Sequence, residues 1–181
     1  VSSADLGRKF GFAQAGTDAG SLFNEPSTNL IAITTRHNTH ASLVREALKT
    51  EKAVFVEKPL CLNREELDAI QEDYLSAKNP FLMVGFNRRF APLTQTLNEL
   101  LKSRSDPKSF IYTVNAGYIP PDHWTQLPEI GGGRLLGEAC HFIDLIRFLA
   151  ASPIENATVQ YAQTSGTGSM DTFSIQLTLA D

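Results

Sequence analysis

The chain has 181 residues and a formal net charge of −4 at pH 7, a size that allows one domain or two small ones with a sizeable core. An apolar content of 42% is typical of a soluble globular protein and excludes an intrinsically disordered one. The acidic balance, without any cluster of lysines and arginines, argues against nucleic acid as a partner, and no apolar run has the length of a membrane span.

The first half of the chain alternates predicted helices with short apolar strands. In chain order we predict a helix over 4–10, a short strand over 12–15, a short helix over 18–23, a strand over 30–34, a helix over 41–49, a strand over 53–56, a helix that opens at 63 and a strand over 81–84. Asn63 and Glu66 have the spacing of a capping box at the start of that helix. Such alternation indicates βαβ units and a parallel sheet.

The pattern changes after residue 90. The elements predicted there are a helix over 91–102, a strand over 110–115, a long Pro- and Gly-rich loop over 118–133, a helix over 134–150 and strands over 157–164 and 172–179. The last two strands alternate apolar and polar residues, which indicates an antiparallel sheet with one wet face, and a Gly/Ser-rich turn over 165–169 joins them. We therefore predict a domain boundary near residues 87–90.

One lysine lies at a position that favours chemistry. In Phe55-Val56-Glu57-Lys58-Pro59, two apolar residues of a predicted strand run directly into a polar turn. Ligands of α/β proteins bind at the carboxyl ends of the strands, and a lysine there can donate or accept a proton. The alternative interpretation is a surface lysine in a strand-to-helix turn.

Four segments, taken in order, resemble the glucose-fructose oxidoreductase / inositol dehydrogenase family (Gfo/Idh/MocA). They are the strand and turn over 30–40, the Glu57-Lys58-Pro59 turn, the strand and turn over 81–90, and the glycine-rich helix start over 131–144. The likeness runs from about Lys9 to the end of the chain. It implies an α/β fold in which a partial Rossmann-like, dinucleotide-binding domain over 1–88 has a parallel sheet. A partial α+β substrate and dimerisation domain over 89–181, with a mostly antiparallel sheet, follows it.

The resemblance also implies an NAD(P)-dependent oxidoreductase that transfers hydride between NAD or NADP and a hydroxyl of a sugar, nucleotide sugar or cyclitol. Lys58 would be its acid/base residue, and His141 would share the substrate hydroxyl with it. The family often carries an aspartate one helical turn before this histidine, but here that residue is Gly137. Either Glu138 takes over the carboxylate role or the site works without one. For His141 the alternative is a buried histidine whose hydrogen bonds are satisfied within the fold.

Six residues are implied to contact the dinucleotide: Thr35, Arg36, His37, His40, Glu57 and Lys58. The turn after the first strand usually reads Thr-Pro-Asn and then His in the family, whereas Arg36 and His37 replace Pro-Asn here. The alternative for Glu57 is a solvated carboxylate in a turn. The pair His37 and His40 could suggest a metal, but two histidines without a third ligand are a weak signal, and no metal is predicted.

Three residues are predicted to contact the substrate: Arg88, Trp124 and Asp144. Arg88 could bind a carboxylate or phosphate bidentately, or form a structural ion pair. Trp124, next to His123 in the long loop, could pack on the C–H face of a sugar ring, or anchor the loop. For Asp144 a plain helix-surface or capping role is the alternative.

No G-x-G-x-x-G motif occurs in the sequence, although the resemblance implies a glycine-rich turn for the pyrophosphate. We therefore expect an internal fragment of a longer protein, with one edge of the 30–34 strand unpaired. Two functional alternatives remain. The loss of the aspartate at Gly137 favours a non-catalytic module that senses a dinucleotide or sugar, and the truncated ends favour a structural, dimerising fragment.

The expected partners are a small sugar-like substrate and a second copy of the chain, bound through the C-terminal sheet. Two cysteines do not make a disulfide framework, and the first residues lack the apolar segment of a signal peptide. The expected location is therefore the cytoplasm.

Overall fold

A computed structural model describes residues 2–162 and 171–180. Its helices are α1 (Ser3–Phe10), α2 (Ala19–Phe23), α3 (His40–Leu48), α4 (Arg64–Ser76), α5 (Pro92–Lys102) and α6 (Cys140–Ala150). Its strands are β1 (Leu30–Ile33), β2 (Ala53–Val56), β3 (Leu82–Val84), β4 (Ile154–Tyr161) and β5 (Phe173–Leu179). None of these helices is both long and apolar enough to cross a bilayer. The predicted turn over 165–169 lies outside the described residues.

The first three strands form the predicted parallel sheet, in the order β1-β2-β3. Ala32 pairs with Phe55, and Phe55 with Met83, so β2 is the central strand. Helix α3 packs against β1, β2 and α4. The core lies between these elements, where Val44 and Val54 are fully buried. This arrangement confirms the α/β, Rossmann-like fold class that the sequence predicted.

The direction of the strands decides where a site can form. Because β1, β2 and β3 are parallel, the turns that follow them lie at one edge of the sheet. Glu57 donates its backbone N–H to Ile33 O at 2.9 Å, and Gly85 donates to Val56 O at 2.7 Å. These bonds fix the three turns beside one another, at the edge where α/β sheets bind ligands.

The second sheet is antiparallel and consists of β4 and β5. Val159 pairs with Ile175, and the register shifts between Ile154 and Asn156. Partly buried and exposed residues alternate along β5, as the period of two predicted. Strand β4 begins at Ile154 rather than at 157 as predicted.

Two predicted strands are wrong. Residues 12–15 and 110–115 contain no strand, because an apolar run becomes a strand only where a second strand pairs with it. Phe12 instead donates its N–H to Gly7 O at 3.0 Å, which continues the left-handed C-cap of α1 at Gly11 (φ 72°). Ile111 is 94% exposed, and so this segment has no buried face.

The helix predicted over 134–150 has a break in its geometry. It begins with a π-helical turn over Leu135–Ala139 and becomes α6 at Cys140. A π turn is wider than an α turn and is frequent at functional sites. The widening changes which side chains share a face with His141, and Gly137 lies within the widened turn.

Candidate active site

A cavity of about 170 Å³ lies where the turns after β1 and β2 meet the loop over 118–133 and the π turn. Its wall includes His37, Lys58, Trp124, Arg134, Gly137 and Glu138. Four of these were predicted as site residues from the sequence, namely His37, Lys58, Trp124 and Glu138. Residues from both halves of the chain are therefore needed to form the cavity.

Lys58 reaches across the cavity to the π turn. Its Nζ donates a hydrogen bond of 2.7 Å to Gly137 O, 79 residues away in the sequence. The side chain is half-buried, and the cis peptide bond between Lys58 and Pro59 follows β2 directly. An ammonium group has three N–H donors, so at least one remains for a ligand in the cavity.

His141 lies on α6 beside Lys58 but is not part of the cavity wall. Its Nδ1 is buried and has no hydrogen-bond partner among the described residues. Burial lowers the pKa of His141 from 6.5, and the positive charges of Lys58 and Arg88 lower the pKa further. The ring is therefore neutral at pH 7. The unpartnered Nδ1 is thus a neutral, buried nitrogen close to Lys58 and behind the cavity wall.

His37 is fixed by the long loop. The residue is 8% exposed, and its Nδ1–H donates to Gly131 O at 2.8 Å. The edge of its ring meets Trp124 at 4.9 Å between centroids. Burial lowers the pKa of His37, while the bond to Gly131 opposes this shift. The imidazole is thus neutral at pH 7, with its proton on Nδ1.

Gly131 is required by the way the loop approaches itself. A Cβ at this residue would lie 2.2 Å from Thr125 Cα and 2.4 Å from Thr125 O. Gly131 belongs to the glycine-rich segment over 131–144, but nothing in its local pattern indicates this backbone contact. Only glycine lets the carbonyl group of Gly131 reach His37.

His40 connects two turns and does not face the cavity. It is fully buried, and its ring nitrogens lie 2.7 Å from Pro59 O and 3.0 Å from Thr35 O. Thr35 Oγ1 lies 2.6 Å from Thr39 Oγ1. His40 therefore holds the turn after β1 against the turn after β2. With both nitrogens so engaged, it is not free to ligate a metal, and the described residues contain no group of three metal-ligating side chains.

Arg36 stacks on Trp124, which lies in the cavity wall. The Arg36 guanidinium lies 5.6 Å from the centroid of the Trp124 ring, a cation–π distance. Because the His37 ring packs against the same indole with 75° between the two planes, the plane of Trp124 is fixed from two directions.

Glu57 borders Gly85, a second glycine whose role was not predicted from the sequence. A Cβ at Gly85 would lie 3.1 Å from Glu57 Oε2 and 3.2 Å from Phe55 Cζ. The carboxylate of Glu57 therefore occupies the space beside β3 at the sheet edge. A glycine directly after a parallel strand is the signal that could have identified this residue.

Arg88 and Asp144 are placed by protein contacts outside the cavity wall. The Arg88 guanidinium stacks over Phe142 at 4.3 Å. Asp144, whose side chain is 7% exposed, accepts hydrogen bonds from Nε and Nη2 of Arg89. This ion pair favours a structural role for Asp144, and Arg89 was not singled out in the sequence.

Arg134 anchors the far wall of the cavity. Its Nε lies 3.3 Å from Asp171 Oδ2, and its Nη2 donates to Gly117 O. Gln126 Nε2 also donates to Asp171 Oδ2, at 2.5 Å. These contacts attach the loop over 118–133 at its start and in its middle. They were not predictable from spacing, since Asp171 lies far along the chain.

Comparison with protein families gives two matches. A model of an oxidoreductase family with an NAD-binding Rossmann fold (Gfo/Idh/MocA) matches residues 2–86. A model of the Gfo/Idh/MocA C-terminal domain matches residues 106–181.

Curated relatives agree with these matches. The chain is 28% identical over 151 residues to myo-inositol 2-dehydrogenase of Thermotoga maritima, covering 83% of this chain and 45% of that protein. It is 28% identical over 154 residues to levoglucosan dehydrogenase of Pseudarthrobacter phenanthrenivorans, covering 81% of this chain and 39% of that protein. The chain thus spans about half the length, or less, of these relatives.

Solved structures show the same fold. A probable dehydrogenase from Thermotoga maritima superposes with a TM-score of 0.80 at 25% identity, over 98% of this chain and 55% of that one. Levoglucosan dehydrogenase in complex with NADH and levoglucosan superposes with a TM-score of 0.80 at 22% identity, over 98% of this chain and 52% of that one.

Proposed function

Because the chain belongs to the Gfo/Idh/MocA family of oxidoreductases, we propose that the protein transfers hydride between a nicotinamide dinucleotide and a hydroxyl-bearing carbon of a sugar or cyclitol. The observation that carries the proposal is the position of Lys58. Its Nζ lies in the cavity wall, hydrogen-bonded to Gly137 O, at the carboxyl edge of the parallel sheet. The names of the relatives support the substrate class, since myo-inositol and levoglucosan are both polyhydroxylated rings.

The residues at the sheet edge fit the nicotinamide end of NAD or NADP. Gly85 has no Cβ, and a Cβ there would press on the Glu57 carboxylate. The carboxylate therefore stays at this edge, where it can accept hydrogen bonds from ribose hydroxyls. Thr35 and Arg36 are exposed in the neighbouring turn. The 181-residue sequence contains no G-x-G-x-x-G motif, and we assign no pyrophosphate contact to any of its residues. When bound, the nicotinamide supplies the hydride chemistry.

Lys58 and His141 would take part in the proton transfer. In the direction of alcohol oxidation, a neutral amine at Lys58 Nζ accepts the hydroxyl proton as the carbonyl forms. In the reverse direction, the ammonium returns that proton to the carbonyl oxygen. His141, neutral at pH 7, would hydrogen-bond the same oxygen. The negative charge of Glu138 acts on His141 and would offset the positive charge that gathers at Lys58.

Trp124 would orient the ring of the substrate. Arg36 and His37 fix its indole plane, and a fixed aromatic face can pack against the C–H face of a sugar. Arg88 and Asp144 would act from behind the site, since Arg88 stacks on Phe142 and Asp144 is paired with Arg89.

A lysine substitution tests the proposal. Turnover of myo-inositol and of levoglucosan is measured with NAD and with NADP, for the unmodified chain and for Lys58→Met. General acid/base groups contribute about 10²–10⁴-fold, so Lys58→Met should lower kcat by at least about 100-fold. Lys78→Met, at an exposed lysine, is the matched control. Equal turnover of the Lys58→Met and Lys78→Met variants would contradict the proposal.

A second function has one observation in its favour. Gly137 contributes no carboxylate to the cavity, which suits a module that senses a dinucleotide or sugar without turnover. Titration with NADH and NADPH separates the two functions, because a sensor binds at micromolar concentrations while the assay above shows no product.

We also propose that two copies of the chain associate through β4 and β5. A two-stranded sheet is marginally stable by itself, and Tyr161 at its end is 39% exposed. Mass measurement in solution tests this, and a monomer at micromolar concentration would contradict it. The cytoplasm stays the expected location.

A further inference from the structure

His37 and Gly137 lie face to face in the wall of the cavity. A Cβ at Gly137 would lie 3.4 Å from His37 Cε1 and 3.9 Å from His37 Nδ1. The imidazole therefore lies in contact distance of the Cβ of any side chain at residue 137. A methyl group there is in ordinary contact with the ring, but a longer side chain meets the ring itself.

The hydrogen bonding of His37 leaves one nitrogen for a ligand. Nδ1–H is committed to Gly131 O, so in the neutral ring Nε2 carries a lone pair and can only accept. The described residues give no hydrogen bond to Nε2, and Nε2 is not among their fully buried, unpartnered atoms. The ring lines the same cavity as Lys58 and Glu138. An acceptor in this position is suited to a hydroxyl group.

We propose that His37 is a substrate-binding residue that takes the place of a side chain at residue 137, with Nε2 accepting a hydrogen bond from a hydroxyl of the sugar or cyclitol. This inference rests on the proposed function. His37 accepts at Nε2, whereas Lys58 contacts the hydroxyl that reacts. The cavity thus selects a substrate with at least two hydroxyls, one at each of these residues.

If this is correct, the side chain at residue 37 decides which side chains fit at residue 137. Gly137→Asp extends a carboxylate into the imidazole of His37. His37→Asn shortens the side chain so that no atom corresponds to Cε1, and it keeps an N–H near the place of Nδ1 for the bond to Gly131 O. The Asn/Asp combination should therefore fit where the His/Asp combination does not.

A double-mutant cycle on the folded chain tests the pairing without any ligand. Urea unfolding is measured for the unmodified chain, His37→Asn, Gly137→Asp and the double variant. Residues in contact give non-additive effects in such a cycle, whereas distant, independent residues give additive ones. Gly137→Asp should lower the folding equilibrium constant at least about tenfold, or about 1.4 kcal/mol, when His37 is present, and less than about threefold when Asn is present.

Gly137→Ala is the control, because its Cβ lies at an ordinary contact distance of 3.4 Å. It reports the effect of a side chain on the backbone of the π turn alone and should show no comparable dependence on residue 37. Additive effects of His37→Asn and Gly137→Asp would overturn the pairing.

Kinetics with myo-inositol and NAD test the contact with substrate. His37→Asn keeps the donor to Gly131 O but has no acceptor at the place of Nε2, because its Oδ1 ends near the place of Cδ2. KM should therefore rise about tenfold, and by a larger factor than any fall in kcat. An unchanged KM would overturn the substrate role of His37 while the proposed function stands. If the unmodified chain turns over neither myo-inositol nor levoglucosan, the proposed function and the substrate role fail together, and the unfolding cycle still decides the pairing.

Discussion

Replacing Gly131 by alanine tests how the long loop forms the cavity. The added Cβ would lie 2.2 Å from Thr125 Cα, 2.4 Å from Thr125 O and 2.5 Å from Thr125 C. Overpacking commonly costs 1–3 kcal/mol. Because all three neighbouring atoms belong to the backbone and no side chain can turn away, we expect at least about 3 kcal/mol. For a chain of this length, each kcal/mol lowers Tm by about 2–4 °C, so the expected decrease is about 6–12 °C.

Alanine variants at two other glycines separate the effect of the clash on Tm from the other effects of replacing glycine by alanine. Gly16→Ala adds a methyl group with no atom within 4 Å and should change Tm by less than about 3 °C. Gly133→Ala also meets no atom within 4 Å but has φ +68°, so it measures left-handed backbone strain, about 1–2 kcal/mol. Thermal unfolding followed by circular dichroism compares the three variants.

A Tm for Gly131→Ala that is no lower than that of Gly133→Ala would contradict this expectation. Such a result would mean that the loop does not approach itself at Thr125. Gly131 O would then have no fixed position from which to accept the His37 Nδ1–H bond.

Three further predictions concern the groups around the site. Arg89→Met should lower the unfolding free energy by about 3 kcal/mol, because Asp144 is 7% exposed and loses its partner; urea unfolding measures this. The pKa values of His37 and His141 lie below 6.5 in the folded chain, so the unfolded chain binds more protons. The unfolding free energy should thus be constant above about pH 7 and fall as pH decreases below 6.5, by at most about 1.4 kcal/mol per pH unit for each histidine. Burial raises the pKa of the Cys140 thiol to about 11, and at pH 8 it should react with a disulfide reagent about 100-fold more slowly than a free thiol.

Each of these predictions has its own control. Arg64→Met breaks an exposed ion pair with Asp68 and should cost less than about 1 kcal/mol; an equal cost for Arg89→Met would contradict burial of Asp144. Denaturation in urea should restore ordinary reactivity to Cys140, and fast reaction of the folded chain would contradict its burial. An unfolding free energy that rises between pH 6.5 and 5.5 would contradict the lowered histidine pKa values.

The parallel sheet was predictable because each of its strands is an apolar run that ends at a polar turn, and such runs carry their own signal. The same reasoning predicted Lys58, since its place at the end of β2 follows from the local sequence. It was wrong at 110–115, where the run is just as apolar but no described strand pairs with it. Local sequence does not specify the partner on which a strand depends.

The contacts that complete the site could not be predicted. His37 reaches Gly131 across 94 residues, and Lys58 reaches Gly137 across 79. Both acceptors are backbone carbonyls, which every residue has, so no residue type signals them. Gly137 was interpreted from the sequence as a missing carboxylate, and the structure adds that a Cβ there would lie 3.4 Å from His37 Cε1.

The 94 residues between His37 and Gly131 also set a delay during synthesis of the chain. At about 5–20 residues per second, the ribosome takes roughly 5–20 s to add them. Strand β3 ends at Val84, about halfway through that interval, so in the second half β1, β2 and β3 can already pair while the imidazole of His37 still lacks the Gly131 carbonyl. A nascent chain can therefore acquire its sheet well before it acquires its cavity. Any ligand that needs the cavity can stabilise the protein only after the loop has left the ribosome.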